Sequence, residues 1–279
     1  AESTIESFRQ AFNDGADFIE VDAQESADHQ IVLTHADNLS HHVCIPTNLN
    51  TVGQTNACDL KSVLVGASRK GQIPTLTETL DFLRTTDAFN RASFCLNIEL
   101  KNIREIEKDK FKLGPDSYYD SLARTIEDNK FPIDKIVFSS FAARDLVKLK
   151  DCMPQARTGF LFWECEGGPE LDIYPDENVA DARYIYFTPE NIDYVCKLAM
   201  PDFLHPELIA LNDKTAACTA RHGAGIISWV WKEKPPSEDE KMIAEGVKIS
   251  ARHNLPLAII TDYVPLLKNT IGKLQIPLI

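Results

Sequence analysis

Phe18-Ile19-Glu20-Val21-Asp22-Ala23 decides how this chain is read. Side chains of an extended strand point alternately to its two faces, so Ile19 and Val21 look one way and Glu20 and Asp22 the other. A second run, Leu96-Asn97-Ile98-Glu99-Leu100-Lys101, is built alike, with Leu96, Ile98 and Leu100 on one side and Asn97, Glu99 and Lys101 opposite. A strand with one aliphatic and one charged face suits a closed parallel barrel. There the aliphatic face packs under outer helices, and the inward face leads to the C-terminal mouth where barrel active sites lie. Three carboxylates and an ammonium are therefore expected together at such a mouth.

The rest of the chain agrees with this arrangement. Extended runs are expected at 18–23, 94–100, 135–139, 158–162, 202–205, 226–230 and 257–261, with 31–35 as a short excursion. Helical patterns fall between them. Ser3-x-x-Glu6 reads as a capping box opening a helix over 3–13, and Gly15 as its stop. Thr75-x-x-Glu78 opens another, whose buried stripe is Leu76, Leu80 and Leu83. Residues 40–70 read as polar and irregular, with a short helical stretch near Leu60; 104–114 and 166–181 read as loops. Strand-then-helix order implies parallel strands joined by right-handed crossovers. No glycine-rich loop follows any strand, which disfavours a dinucleotide-binding sheet. The expected fold is a (β/α)₈ TIM barrel without its first strand in this stretch, forming a single domain over 1–279. The tail Lys273-Leu274-Gln275-Ile276-Pro277-Leu278-Ile279 alternates like a strand and is a candidate to cover the first-strand position.

The 279 residues suit such a barrel, which typically takes about 250. A net charge of -13 disfavours a nucleic-acid partner, since phosphate backbones select basic patches. It does not disfavour a phosphate ester, because a bound cation reverses the local field. Seven cysteines occur without a Cys-x-x-Cys pair, as expected of reduced thiols in a cytoplasmic protein. No signal peptide is visible, and no apolar run is long enough to span a membrane.

Buried carboxylates must be paired or hold a metal. Glu20, Asp22 and Glu99 offer hard oxygen donors suited to Mg²⁺ or Ca²⁺; an ion-pair network with Lys101 and no metal is the alternative. His35 ends the excursion after the acidic strand, and imidazole is the side chain suited to proton exchange near neutral pH. His41 and His42 read as solvated loop residues.

Gly15-Ala16-Asp17-Phe18-Ile19-Glu20-Val21-Asp22 followed by His35 resembles the opening of the glycerophosphodiester phosphodiesterase family. Ile73-Pro74-Thr75-Leu76-Thr77-Glu78, Asn97-Ile98-Glu99-Leu100-Lys101, Ser139-Ser140-Phe141, Trp229 and Thr261-Asp262-Tyr263 resemble its later landmarks in the same order. The resemblance implies hydrolysis of a small glycerophosphodiester to glycerol 3-phosphate and an alcohol. It implies that Glu20, Asp22 and Glu99 hold the divalent cation. It makes His35 one of two acid–base histidines, Lys101 a stabiliser of phosphoryl charge and Trp229 a substrate contact. The family's His-Arg-Gly motif has no counterpart here, and Ala36 stands where aspartate usually follows the histidine. The chain as given is therefore expected to be impaired in catalysis. A non-catalytic relative binding phosphate esters or a protein partner is the alternative from another class. A Schiff-base lyase using Lys101 is a third, disfavoured because neighbouring carboxylates hold the lysine protonated.

Overall fold

A computed structural model of the chain describes residues 3–35, 51–65, 71–101, 117–163, 188–230 and 236–274. The backbone contacts divide it into two compact units, Ala1–Val137 with Lys148–Ala156, and Phe138–Val147 with Arg157–Ile279.

The first unit opens with helix α1 (Ile5–Asn13). Its cap lies one residue later than Ser3-x-x-Glu6 implies. Thr4 is the N-cap, its Oγ1 accepts from the Ser7 amide, and the Ser7 Oγ accepts from the Thr4 amide. Ser3 cannot cap, because its φ of 53° is left-handed and an N-cap needs extended backbone. Gly15, at φ 92°, supplies the turn into strand β1 (Ile19–Glu25). Strand β2 (Ile31–Leu33) returns antiparallel to β1, pairing Leu33 with Ala23.

The stretch beyond β2 is less irregular than its composition implies. Helix α2 (Ala57–Lys61) and the short hairpin β3 (Leu64–Val65) with β4 (Gly71–Gln72) lie within it. Val32, Val52, Leu60, Val63 and Ile73 are buried together there as a cluster. Each element is too short to show a periodic pattern, and burial is what unites them.

Helix α3 (Leu76–Arg84) has the expected capping box: the Glu78 amide donates to Thr75 Oγ1, and the Thr75 amide to Glu78 Oε2. Leu76, Leu80 and Leu83 are fully buried. Strand β5 (Leu96–Leu100) then pairs parallel with β1, and helix α4 (Ser117–Asp128) follows. Strand β6 (Ile136–Ser140) and helix α5 (Ala143–Cys152) each contribute residues to both units.

The second unit carries β7 (Arg157–Phe162), α6 (Pro189–Ala199), β8 (Phe203–Pro206), α7 (Asp213–Arg221), β9 (Gly225–Trp229), α8 (Pro236–Arg252), β10 (Leu257–Ile260) and α9 (Val264–Leu274). Its strands run in the order β10-β9-β8-β7, each pair parallel. Helices α7, α8 and α9 bury Leu208, Leu211, Ile243, Ile249 and Ile259 against β9 and β10. Lys273 and Leu274 close α9 rather than begin a strand; the rest of the tail lies outside the described residues. So do His41, His42, Ala36 and the loops at 104–114 and 166–181.

His205 on β8 is fully buried, and neither ring nitrogen has a hydrogen-bond partner among the described residues. A methyl group added to Gly159 on β7 would collide with its imidazole. Burial lowers the His205 pKa from its ordinary value to about 3. The unfolded chain, with an ordinary histidine near 6.5, therefore binds more protons between those two values. Stability contributed by a neutral His205 is present above about pH 6.5 and is lost as the pH falls toward 3. Urea unfolding is expected to show a stability loss of about 2 kcal/mol from this residue between about pH 7 and pH 5. His205→Leu, which needs no proton and suits an apolar site, removes that part of the pH dependence. A variant with the same pH slope as the wild type would refute the assignment. Gly159→Ala is expected to destabilise by about 1–3 kcal/mol through overpacking.

Candidate active site

The carboxylates of the first unit stand where strand alternation puts them. In the parallel ladder Glu20 is opposite Asn97 and Asp22 opposite Glu99, with Val21 beside Ile98 on the other face. Val21 and Ile98 are fully buried. One donor oxygen each from Glu20, Asp22 and Glu99 lies within 4.8 Å of the others. Ligand–metal distances of about 2.0–2.6 Å around one cation give oxygen–oxygen separations of this size.

Lys101 sits just past β5, and the ladder still holds it: its amide donates to the Ala23 carbonyl at 3.0 Å. The Tyr118 hydroxyl of α4 donates to the same carbonyl at 2.8 Å. From this anchored backbone the Lys101 ammonium reaches Glu99 Oε1 at 2.5 Å and Asp22 Oδ1 at 3.2 Å.

Burial pushes the Glu99 carboxyl up to about 7; the neighbouring Asp22 carboxylate adds to this and Lys101 opposes it. For Lys101, burial favours the neutral amine, but Glu99 and Asp22, and then Glu20, outweigh it and hold the ammonium well above its ordinary range. A permanently protonated Lys101 is no Schiff-base nucleophile. It is a fixed positive charge beside three anionic donors. A divalent cation fits the donor chemistry of the three carboxylates.

His35 lies just beyond the end of β2. The Thr34 amide donates to the Asp22 carbonyl at 3.0 Å, and the Gln24 side-chain amide donates to the Thr34 carbonyl at 2.6 Å. These bonds tie the backbone next to His35 to the acidic strand, and the imidazole itself is exposed. Gln24 was not singled out by sequence. Its place on the Glu20–Asp22 face was the available signal, but an amide on a polar face is unremarkable until its acceptor is known.

Trp229 is in the second unit, at the end of β9. Its indole N–H donates to the His205 carbonyl at 3.0 Å. Its ring meets Trp163 edge-on at 4.7 Å, and Phe141 at 5.9 Å. Phe141 and Trp229, taken separately from the sequence, thus join one aromatic cluster with Trp163. Ser140, beside Phe141, donates to Asp145 at 2.9 Å.

Residues 1–166 match the sequence profile of the glycerophosphoryl diester phosphodiesterase family, a span that includes Glu20, Asp22, His35, Glu99 and Lys101. The chain belongs to the glycerophosphoryl diester phosphodiesterase family. It is thereby a phosphoric diester hydrolase by family, and the α/β barrel class expected from sequence is the fold of its structural neighbours. One is a phosphodiesterase of Oleispira antarctica, solved with the product sn-glycerol-3-phosphate; it is 18% identical with a TM-score of 0.68, over 97% of this chain and 91% of that one. A glycerophosphodiester phosphodiesterase of Agrobacterium tumefaciens is 17% identical with a TM-score of 0.63, over 95% and 92%. Another, from Thermotoga maritima, is 21% identical with a TM-score of 0.58, over 95% and 90%. Among curated proteins no sequence matches. No helix of the described residues is long and apolar enough to cross a membrane.

Proposed function

We propose that this family member hydrolyses small glycerophosphodiesters to glycerol 3-phosphate and an alcohol, using a divalent cation held by Glu20, Asp22 and Glu99. The observation that carries this reading is the meeting of three carboxylates and one protonated lysine on two adjacent, paired strands. The hard oxygen donors favour Mg²⁺ or Ca²⁺. Such a cation, when bound, supplies Lewis-acid polarisation of the phosphoryl oxygens.

The protein's own groups do the rest. Lys101, kept charged by its acidic neighbours, stabilises negative charge on the phosphoryl group as the ester bond breaks. His35, exposed and tethered through Thr34, exchanges a proton with the nucleophile or the leaving oxygen. The partner is thus a small molecule rather than a nucleic acid. We read the two compact units as parts of one domain, because their division runs through β6 and α5 rather than through a linker.

The test is release of glycerol 3-phosphate from glycerophosphocholine by chelator-stripped protein, with Mg²⁺ or Ca²⁺ titrated back. Turnover that rises with either cation, at the impaired level expected of a chain without the His-Arg-Gly motif, is the expected result. Turnover that persists undiminished under chelation would defeat the metal assignment. Binding of glycerol 3-phosphate without turnover at any metal concentration would replace the hydrolase reading with that of a phosphate-ester binder.

A further inference from the structure

A second cluster of ligating side chains lies in the second unit, on helices that the carboxylate centre does not use. Asp193 projects from α6; Cys218 and His222 come from α7 and the residue that caps it, four positions apart and so on one helix face. Donor atoms of the three lie within 4.8 Å of one another. His222 Nε2 is 2.6 Å from Asp193 Oδ1, and the Cys218 thiol donates to the same oxygen at 3.5 Å.

We propose that Asp193, Cys218 and His222 form a binding site for a transition-metal ion of the Zn²⁺ class. The donors decide the chemistry. A thiolate, an imidazole and a carboxylate suit Zn²⁺ and its first-row neighbours, whereas the all-oxygen group at Glu20 suits Mg²⁺ or Ca²⁺. Three protein ligands leave a fourth tetrahedral position for water, and the partial exposure of Asp193 and His222 gives solvent access to it. Cys218 is 1% exposed, so its thiolate would bind from the protected side of the helix pair. The buried Cys196 thiol on α6 is close enough to interact electrostatically with Cys218 and Asp193, but it is not among the three converging donors. Arg221 Nη2, 3.4 Å from Asp193 Oδ1, is the competing cation. It is exposed, and the second Asp193 oxygen leaves it a partner when Oδ1 turns to a metal.

Binding replaces the thiol–carboxylate and imidazole–carboxylate hydrogen bonds with bonds to the ion. The Cys218 thiol proton leaves to solvent, and the His222 proton that faces Asp193 moves to the other ring nitrogen or leaves to solvent, so that Nε2 is free to bind the ion. No electron changes hands. The ion would tie α6 to α7.

The test uses Co²⁺, whose bond to a thiolate gives a near-ultraviolet sulfur-to-cobalt charge-transfer band. Reduced, chelator-stripped protein should develop this band, saturating at one ion per chain and reversed by Zn²⁺. Cys218→Ser should abolish it, Cys196→Ser should leave it, and His222→Gln should weaken Co²⁺ binding at least ~10-fold. Glu99→Gln should leave it untouched, since oxygen donors give no such band. His222 lies at a partly exposed helix end, so His222→Gln carries the test if Cys218→Ser does not fold. No band in the wild type, a band that survives in Cys218→Ser, or His222→Gln binding as tightly as the wild type would each overturn the proposal.

Discussion

Glu99→Gln is expected to lower glycerophosphodiester turnover at limiting Mg²⁺ or Ca²⁺ by about 100-fold or more. The amide is nearly isosteric, so packing on β5 survives, while one of three anionic donors is lost. Even residues that only orient metal ligands typically cost about 10–100-fold when changed, and a ligand should cost at least as much. The same substitution should leave the metal-free fold intact and make it less sensitive to pH. In the metal-free protein burial and Asp22 raise the Glu99 carboxyl to about 7, above the ordinary value of 4.5. A group raised in this way contributes stability that is fully present below pH 4.5 and is lost as the pH rises through about 7. The substituted amide has no titrating proton, so the variant should lack that decline. Saturating metal should also suppress the decline in the wild type, by favouring the ionised carboxylate. The measurements are turnover against metal concentration, and thermal unfolding across pH with and without metal. Wild-type turnover by the variant at limiting metal would end the ligand role.

The charged faces of β1 and β5 were legible in the sequence because strand alternation is strict and the aliphatic partners are unbroken. Ile19, Val21, Leu96 and Ile98 could only be read as one face of each strand, which left Glu20, Asp22 and Glu99 to meet on the other. The Thr75–Glu78 box was legible for a similar reason, since a local hydrogen-bond exchange has a fixed spacing. The Ser3–Glu6 box failed because Thr4 and Ser7 satisfy nearly the same pattern one residue later. Only the backbone of Ser3, at φ 53°, separates the two. The cluster around Leu60 and Val63 was hidden because helix and hairpin pieces of a few residues carry no period. His205 looked like an ordinary strand residue. That its nitrogens have no partner among the described residues is a property of its neighbours, Gly159 above all. The Asp193–Cys218–His222 group was invisible for the plainest reason: its residues come from two helices with a strand between them.

Lys101→Met separates the two accounts of the carboxylate site most sharply. The substitution keeps much of the apolar stem and removes the charge that sits 2.5 Å from Glu99 and 3.2 Å from Asp22. If Lys101 only neutralises buried carboxylates, its loss should appear as stability. Breaking a buried pair by removing one partner typically costs about 3–5 kcal/mol, because the remaining charge is left uncompensated. If the carboxylates hold a divalent cation, the variant should recover much of that loss when metal is added, since the cation then compensates them. Turnover should not recover if, as proposed, Lys101 supplies the charge that faces the phosphoryl oxygens. A loss of one oriented charge at a reacting centre is expected to lower kcat by about 100-fold or more. The expected result is therefore a divergence: added Mg²⁺ or Ca²⁺ restores the unfolding midpoint of Lys101→Met toward that of the wild type, while kcat stays low. An unfolding midpoint that no divalent cation raises would favour the metal-free ion-pair network. A variant with wild-type kcat at saturating metal would remove Lys101 from the chemistry and leave it a purely structural counter-charge.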